Sequence, residues 1–163
     1  MPVSRADLIR GRFTSDPAPV RPPWALLEAG FVAACERCDD CAKACPEQII
    51  VRGRGGFPIV DFSRGECTFC GDCVDICKAD AFAGKSTDPW HLTARIGPSC
   101  LARSGVACRV CEDTCAPRAL RFALSARPLP PMIDPEKCNG CGACAAPCPA
   151  TAITVECQME DAA

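Results

Sequence analysis

Sixteen of the seventeen cysteines in this 163-residue chain fall into four sets of four. The first set is Cys35, Cys38, Cys41 and Cys45, and the second is Cys67, Cys70, Cys73 and Cys77. The third is Cys100, Cys108, Cys111 and Cys115, and the fourth is Cys138, Cys141, Cys144 and Cys148. Three sets share the run C-x2-C-x2-C-x3-C, while the third stretches its first gap to seven residues. A cubane of iron and sulfide presents four iron corners, each wanting one thiolate. Cysteines three apart, twice over, let one short loop meet three of those corners while its N–H groups point at the sulfides. The fourth thiolate follows a turn later, before Pro46 or Pro149 redirects the chain. Gly71, Gly140 and Gly142 allow the backbone to come close to such a group. One C-x2-C pair would say little, but this register repeated three times, plus a variant, is specific. Structural zinc uses two cysteine pairs separated by a long interval and needs no third cysteine in register.

Composition and compartment bear on the same choice. Cysteine makes up about a tenth of the chain, and Leu, Ile, Val and Phe together only about a fifth, at the edge of what sustains a globular core. Such a chain needs staples, which are either disulfides or inorganic groups. A disulfide framework requires a secretory context. Residues 1–30 hold no apolar stretch behind a basic start of the kind a signal peptide needs. The segment Ser4-Arg5-Ala6-Asp7-Leu8-Ile9 faintly echoes a twin-arginine export signal but lacks the second arginine and the apolar region. No window approaches the ~20 apolar residues of a membrane span. The expectation is a cytoplasmic protein with thiolates available for metal. The formal charge is −2, with no basic patch to suggest nucleic acid. A [4Fe–4S] core held by four thiolates is a net dianion, so four of them would make the holoprotein strongly acidic and favour partners with basic docking patches.

Elements must position these loops, and the segments between them show how. Residues 1–34 carry no cysteine: Leu8, Ile9 and Phe13 could form one side of a short helix, Asp16–Trp24 is proline-rich, and Trp24–Ala34 reads as a helix. Ile49–Val51, the Gly53–Gly56 turn and Pro58–Phe62 read as strand, turn, strand, as do Leu120–Leu124, a proline-rich turn and Met132–Ile133. Gly84–Pro89 reads as linker. The expected fold is α+β, with two tandem bacterial two-cluster ferredoxin-like modules over 35–83 and 92–156. A leader (1–34), a linker (84–91) and a tail (157–163) complete the chain. In two-cluster ferredoxins the fourth cysteine of a run ligates the neighbouring cluster. On that rule four [4Fe–4S] sites form: Cys35, Cys38, Cys41 with Cys77; Cys67, Cys70, Cys73 with Cys45; Cys138, Cys141, Cys144 with Cys115; and Cys100, Cys108, Cys111 with Cys148. The last is expected to be the most labile, because Cys100 stands so far from Cys108.

Other residues carry less. Cys157 stands outside every set and reads as a plain thiol. His91 is the only histidine, and beside Trp90 it reads as packing. Trp24 reads as a docking residue or as packing on the first loop. The Gly53–Gly56 run does not open a helix after a buried strand, so it is no phosphate loop. There is no nucleophile–base pairing and no nucleotide fingerprint, so no catalytic residue is expected and the chain reads as a carrier and not an enzyme.

From Arg21 onward the chain resembles the NapF-type ferredoxins, accessory proteins of periplasmic nitrate reductase systems. The resemblance rests on Arg21-Pro22-Pro23-Trp24, Gly56-Phe57-Pro58, Glu66–Cys70, Trp90, Leu92, Ile96-Gly97, Cys100-Leu101-Ala102, the stretched third set within Val106–Pro117, and Cys138–Ala146 followed by Cys148-Pro149. It implies a cytoplasmic protein that contacts the molybdenum-containing catalytic subunit (NapA-like) before its export. The implied role is maturation, by electron supply or by help with that subunit's own [4Fe–4S] cluster. Lys78 replaces the proline usual after the second set, which puts that turn in question. The competing readings are a general polyferredoxin, or the iron–sulfur subunit of a larger oxidoreductase.

Overall fold

The cysteine runs leave little chain for regular structure, and the elements between them are accordingly short. A computed structural model describes residues 19–85, 88–123 and 129–157. In chain order it contains α1 (Glu28–Ala34), α2 (Asp40–Ala44), β1 (Ile50–Arg52), β2 (Pro58–Val60), α3 (Asp72–Asp75), β3 (Leu92–Ile96), α4 (Val110–Asp113), β4 (Leu120–Arg121), β5 (Met132–Ile133) and β6 (Ile153–Cys157). Helix and strand are thus mixed, with three two-stranded antiparallel sheets, β1–β2, β3–β6 and β4–β5.

The β1–β2 hairpin runs in register from Ile50 opposite Val60 to Arg52 opposite Pro58. Its turn is a single 3-10 turn, Arg54–Gly56, in which Gly55 and Gly56 take φ of +68° and +81°. The β4–β5 pair is the corresponding hairpin of the second half, with Leu120 opposite Ile133. The expected strand through Leu124 runs beyond the described residues. The longest pairing, β3–β6, went unread in the sequence, and it ties the two ends of the second half together from Leu92 opposite Cys157 to Ile96 opposite Ile153. Leu92 and Ala94, and across from them Ile153 and Val155, are buried at alternate positions, as a one-sided sheet requires.

The first half closes in the same manner with less sheet. Ala25 bridges Phe82, Leu26 N–H donates to Ala81 O at 3.0 Å, and Ala83 N–H donates to Trp24 O at 2.8 Å. Pro22 and Pro23 have no N–H to extend that ladder, which holds it to one bridge. Residues 19–34 are therefore built into the first half and are not a separate leader. Val60 N–H donates to Val20 O at 2.8 Å, Pro22 and Phe31 are fully buried, and Phe31 meets Phe82 edge-on at 6.0 Å. The Arg21 guanidinium lies over Phe31 at 5.1 Å and Phe57 at 5.5 Å, bonds both carboxylate oxygens of Glu28, and donates to Pro58 O at 2.9 Å. The helix expected from Trp24 starts only at Glu28, because Trp24 takes φ +61° and the next residues serve the bridge. The short helix expected around Leu8, Ile9 and Phe13 lies outside the described residues.

The segment read as linker is also held. Pro89 O accepts from Trp24 N–H at 2.7 Å, and Trp90 Nε1–H donates to Asn139 O at 2.9 Å. One core cluster, with Ile49, Ile50, Val60, Phe62, Cys67 and Cys73, includes Leu92 and Val155 from the second half, so the two halves share an interior. A second cluster gathers Ala94, Leu120, Ile153 and Cys144. Among the described residues, no helix is long and apolar enough to cross a membrane.

Removing the Phe31 ring should be costly, because the ring is 0% exposed and holds both Arg21 and Phe82. Phe31→Ala is expected to lose about 3–5 kcal/mol in anaerobic denaturation, and limited proteolysis should then cut first between residues 19 and 34.

Candidate metal centres

The cysteine loops share a backbone signature that the sequence shows only in part. In the first, second and fourth sets the second residue of the first gap and the first residue of the next gap are left-handed. They are Arg37 and Asp39 (φ 60° and 65°), Phe69 and Gly71 (55° and 85°), and Gly140 and Gly142 (70° and 82°). This alternation turns successive N–H groups to one side of the loop, where they can face an anionic group. Three residues after each fourth cysteine another left-handed residue appears: Gln48, Asp80, Arg118 and Thr151. The turn carrying Lys78 thus keeps the backbone of the other three, so the missing proline does not change the local path.

The third set departs from the signature and reaches the same end by another route. A 3-10 turn, Leu101–Ser104, follows Cys100, ends at Gly105 with φ +81°, and is clasped by Val106 N–H donating to Leu101 O at 3.1 Å. Ala102, 1% exposed, anchors that turn in the interior. The extra residues are thereby folded away, and Cys100 and Cys108 face one hollow.

Three hollows are each lined by four thiols drawn from two sets. Cys67, Cys70, Cys73 and Cys45 line the first. Cys138, Cys141, Cys144 and Cys115 line the second, and Cys100, Cys108, Cys111 and Cys148 line the third. The remaining group shows in the electrostatics: burial first, then Cys35, with Cys38 and Cys77 beyond it, push the Cys41 thiol up to about 11. In every group the fourth cysteine of one run lies beside the first three of its neighbour.

Burial is the main force on these thiols. It pushes Cys67 and Cys111 to about 11 and Cys73 and Cys144 to about 12, with neighbouring thiols of the same group adding to the rise. Cys141 is raised for the same first reason. At neutral pH such thiols stay protonated until a metal displaces the proton. Main-chain N–H groups also reach sulfur: Ala119 N–H donates to Cys115 Sγ at 3.2 Å, and Ala152 N–H to Cys148 Sγ at 3.3 Å.

The donor set also discriminates between occupants. Among the described residues no three His, Cys, Asp or Glu side chains gather as they would around one metal ion. Four thiols spread around a hollow suit the separated corners of a cluster better than the single centre of a zinc site.

The other singled-out residues lie elsewhere. Trp24 is 8% exposed and meets Phe69 edge-on at 6.4 Å, so it packs on the second loop instead of the first and is not presented to a partner. His91 is exposed at the start of β3 and does not pack in the core. Cys157 is exposed at the end of β6 and lines none of the three hollows. The contributions of Ala119, Ala152, Phe62 and Trp90 were missed, and no residue type announces them. Alternation at Leu92, Ala94, Ile96 and at Ile153, Val155, Cys157 could have shown the β3–β6 sheet.

Known proteins match the chain in its cysteine-rich segments. The 4Fe-4S dicluster domain matches residues 34–82, and the 4Fe-4S binding domain matches residues 131–154. The chain is 42% identical over 154 residues to the ferredoxin-type protein NapF of Escherichia coli, covering 94% of each. It is 41% identical to the NapF of Haemophilus influenzae, covering 83% of this chain and 78% of that one. The chain belongs to the NapF family of ferredoxin-type proteins. It is also 30% identical to the methylamine utilization ferredoxin-type protein MauM of Methylobacillus flagellatus, covering 86% of this chain and 68% of that one. As a NapF-type ferredoxin it holds [4Fe–4S] clusters, and residues 83–130, with the stretched third set, lie between the two domain matches.

Two glycines in this NapF-type chain separate the demand of a loop from the demand of its surroundings. A Cβ at Gly142 would collide with the Phe62 ring, and its φ is +82°. Gly105 has a similar φ of +81° but nothing within 4 Å of an added Cβ. Gly142→Ala should lose iron equivalent to about one cluster. Gly105→Ala should cost only about 1–2 kcal/mol of backbone strain and keep its iron, as measured by iron and sulfide analysis of anaerobic protein.

Proposed function

We propose that this NapF-type protein holds four [4Fe–4S] clusters, in two tandem two-cluster modules, on the sixteen cysteines in the crossed groups described above. It works in the cytoplasm as an accessory factor for the catalytic subunit of a periplasmic nitrate reductase, before that subunit's export. The observation that carries the reading is the four-thiol grouping in a chain that matches NapF over nearly its whole length.

Clusters of this kind supply one-electron carriers, and they are also units that can be handed on. The chain's own residues do the rest. The thiols give up their protons on ligation, the apolar walls formed by Ile49, Ile50, Val60, Leu120 and Ile153 keep water away, and the N–H groups of Ala119 and Ala152 hold charge on sulfur. No residue is assigned a catalytic role, and the chain acts as a carrier and not an enzyme. Contact with the catalytic subunit is the essential act in this reading, with electron supply or cluster assembly as its purpose. A general polyferredoxin relay is the second reading, favoured by the interior that the two halves share.

Iron and acid-labile sulfide in anaerobically purified protein should each approach about sixteen per chain, and a zinc-only result would end the cluster reading. The unexported catalytic subunit should co-purify with the protein from cytoplasm. Association with only the exported enzyme, or with nothing, would hand the function to the relay. Cys100→Ser should lower iron by about one site and leave the rest in place, because Cys100 lines only its own hollow among the three.

A further inference from the structure

Two of the four thiol groups meet across the boundary between the halves. Cys67 N–H donates to Cys141 O at 2.8 Å, a main-chain bond from a cysteine of the second set to a cysteine of the fourth. Trp90 sits over this contact. Its ring meets Phe69, two residues past Cys67, edge-on at 5.5 Å, and meets Phe62 at 5.9 Å. Its Nε1–H donates to Asn139 O at 2.9 Å, two residues before Cys141. One indole therefore grips both cysteine loops.

The surroundings leave no slack. A Cβ at Gly140 would lie 2.6 Å from Leu92 Cβ and 3.0 Å from Trp90 Nε1, and one at Gly142 would strike Phe62. The fourth loop is pressed onto Phe62 of the first half at Gly142, and onto Trp90 and Leu92 at Gly140, closer than any side chain would permit. The three buried cysteines, Cys67, Cys73 and Cys144, all belong to the two groups that meet here.

Within each half, the crossing of fourth cysteines already makes the two groups neighbours. In the first half, Cys41 packs against the core cluster that contains Cys67 and Cys73. In the second half, one core cluster gathers cysteines of both groups, among them Cys111, Cys115, Cys144 and Cys148. The junction adds the missing link between the halves.

We propose, on the reading that each group holds a cluster, that the junction of the second and fourth loops, pinned by Trp90, joins the four sites into one row. The outer members of the row are the Cys35, Cys38, Cys41, Cys77 group and the Cys100, Cys108, Cys111, Cys148 group. The two halves are then one continuous carrier instead of two independent ones. Trp90 is a positioning residue, acting through the backbone of both loops.

Trp90→Ala and Trp90→Phe test this on the full-length holoprotein, with three readouts that a loss of fold alone would not move together. These are iron and sulfide per chain, hydrogen–deuterium exchange of the peptide containing Cys67, and the magnetic interaction in the electron paramagnetic resonance spectrum of dithionite-reduced protein. In the parent, the Cys67 amide should be as protected as those of β6. In Trp90→Ala, its exchange should rise about tenfold or more and the magnetic interaction should weaken, with iron unchanged. Trp90→Phe keeps the ring contacts, loses only the bond to Asn139, and should fall between. An unprotected Cys67 amide in the parent would overturn the proposal, as would parent-like exchange and spectrum in Trp90→Ala with its iron intact. If Trp90→Ala fails to fold, Trp90→Phe decides: raised exchange at Cys67 supports the junction, and parent-like exchange overturns it. Low iron in the parent would instead sink the cluster reading, and the exchange data alone would then judge the contact between the loops.

Discussion

Gathering four thiols into one apolar hollow is the constraint on which the rest of this structure depends. Cys41, Cys67, Cys73, Cys111, Cys141 and Cys144 are pushed toward the neutral form by burial first and by neighbouring thiols, and Cys73 and Cys144 rise to about 12. Ligation removes that conflict by replacing four protons with a cationic core, so the free energy of metal binding becomes free energy of folding. The rest of the chain is arranged to make this exchange possible. Helices of four to seven residues and strands of two to five serve mainly as abutments for loops. The core clusters count cysteines among their members, because the chain has too few large aliphatic side chains to build an interior without them.

The loops must also turn sharply, and the chain meets that demand with more than glycine. Arg37, Asp39, Gln48, Phe69, Asp80, Arg118 and Thr151 all hold left-handed φ values, each at a cost of roughly 1 kcal/mol. Phe69 shows what offsets the cost. Its conformation places the ring between Trp24 and Trp90, so a strained backbone angle secures aromatic contacts on both sides. Asp39 is held in a comparable way by its ion pair with Arg52 on β1. Strain at these positions belongs to the geometry of the loop and is compensated locally.

How much of this was legible follows from where the determinants lie. The cysteine sets and both hairpins could be read, because spacing and turn chemistry are local signals: Gly53–Gly56 sits between two short apolar runs and makes the turn it suggests. The closing sheet of the second half was written in the alternation of Leu92, Ala94 and Ile96, yet its partner lies some sixty residues away at Ile153–Cys157, and five-residue strands give little statistical warning. Trp24 was half legible for a related reason: a tryptophan after two prolines fits docking or packing on the nearby first loop, and its actual partner, Phe69, lies on the second loop some forty-five residues away. Contacts between distant loops, such as Cys67 with Cys141, leave no mark in either loop alone.

The stretched third set shows that the spacing rule describes an outcome and not a requirement. What a site needs is four sulfur atoms facing one hollow. The short gap in the other sets achieves this with two left-handed residues, whereas the longer gap achieves it with a 3-10 turn, a left-handed Gly105 and a buried Ala102. The longer loop carries more surface with it: Val106, inside the lengthened gap, is 48% exposed. A gap of two residues leaves no room for such a surface. The lengthened loop therefore keeps Cys100 in its group while giving the outer end of the second half a face of its own, so the one irregular motif adds surface without giving up its place at the hollow.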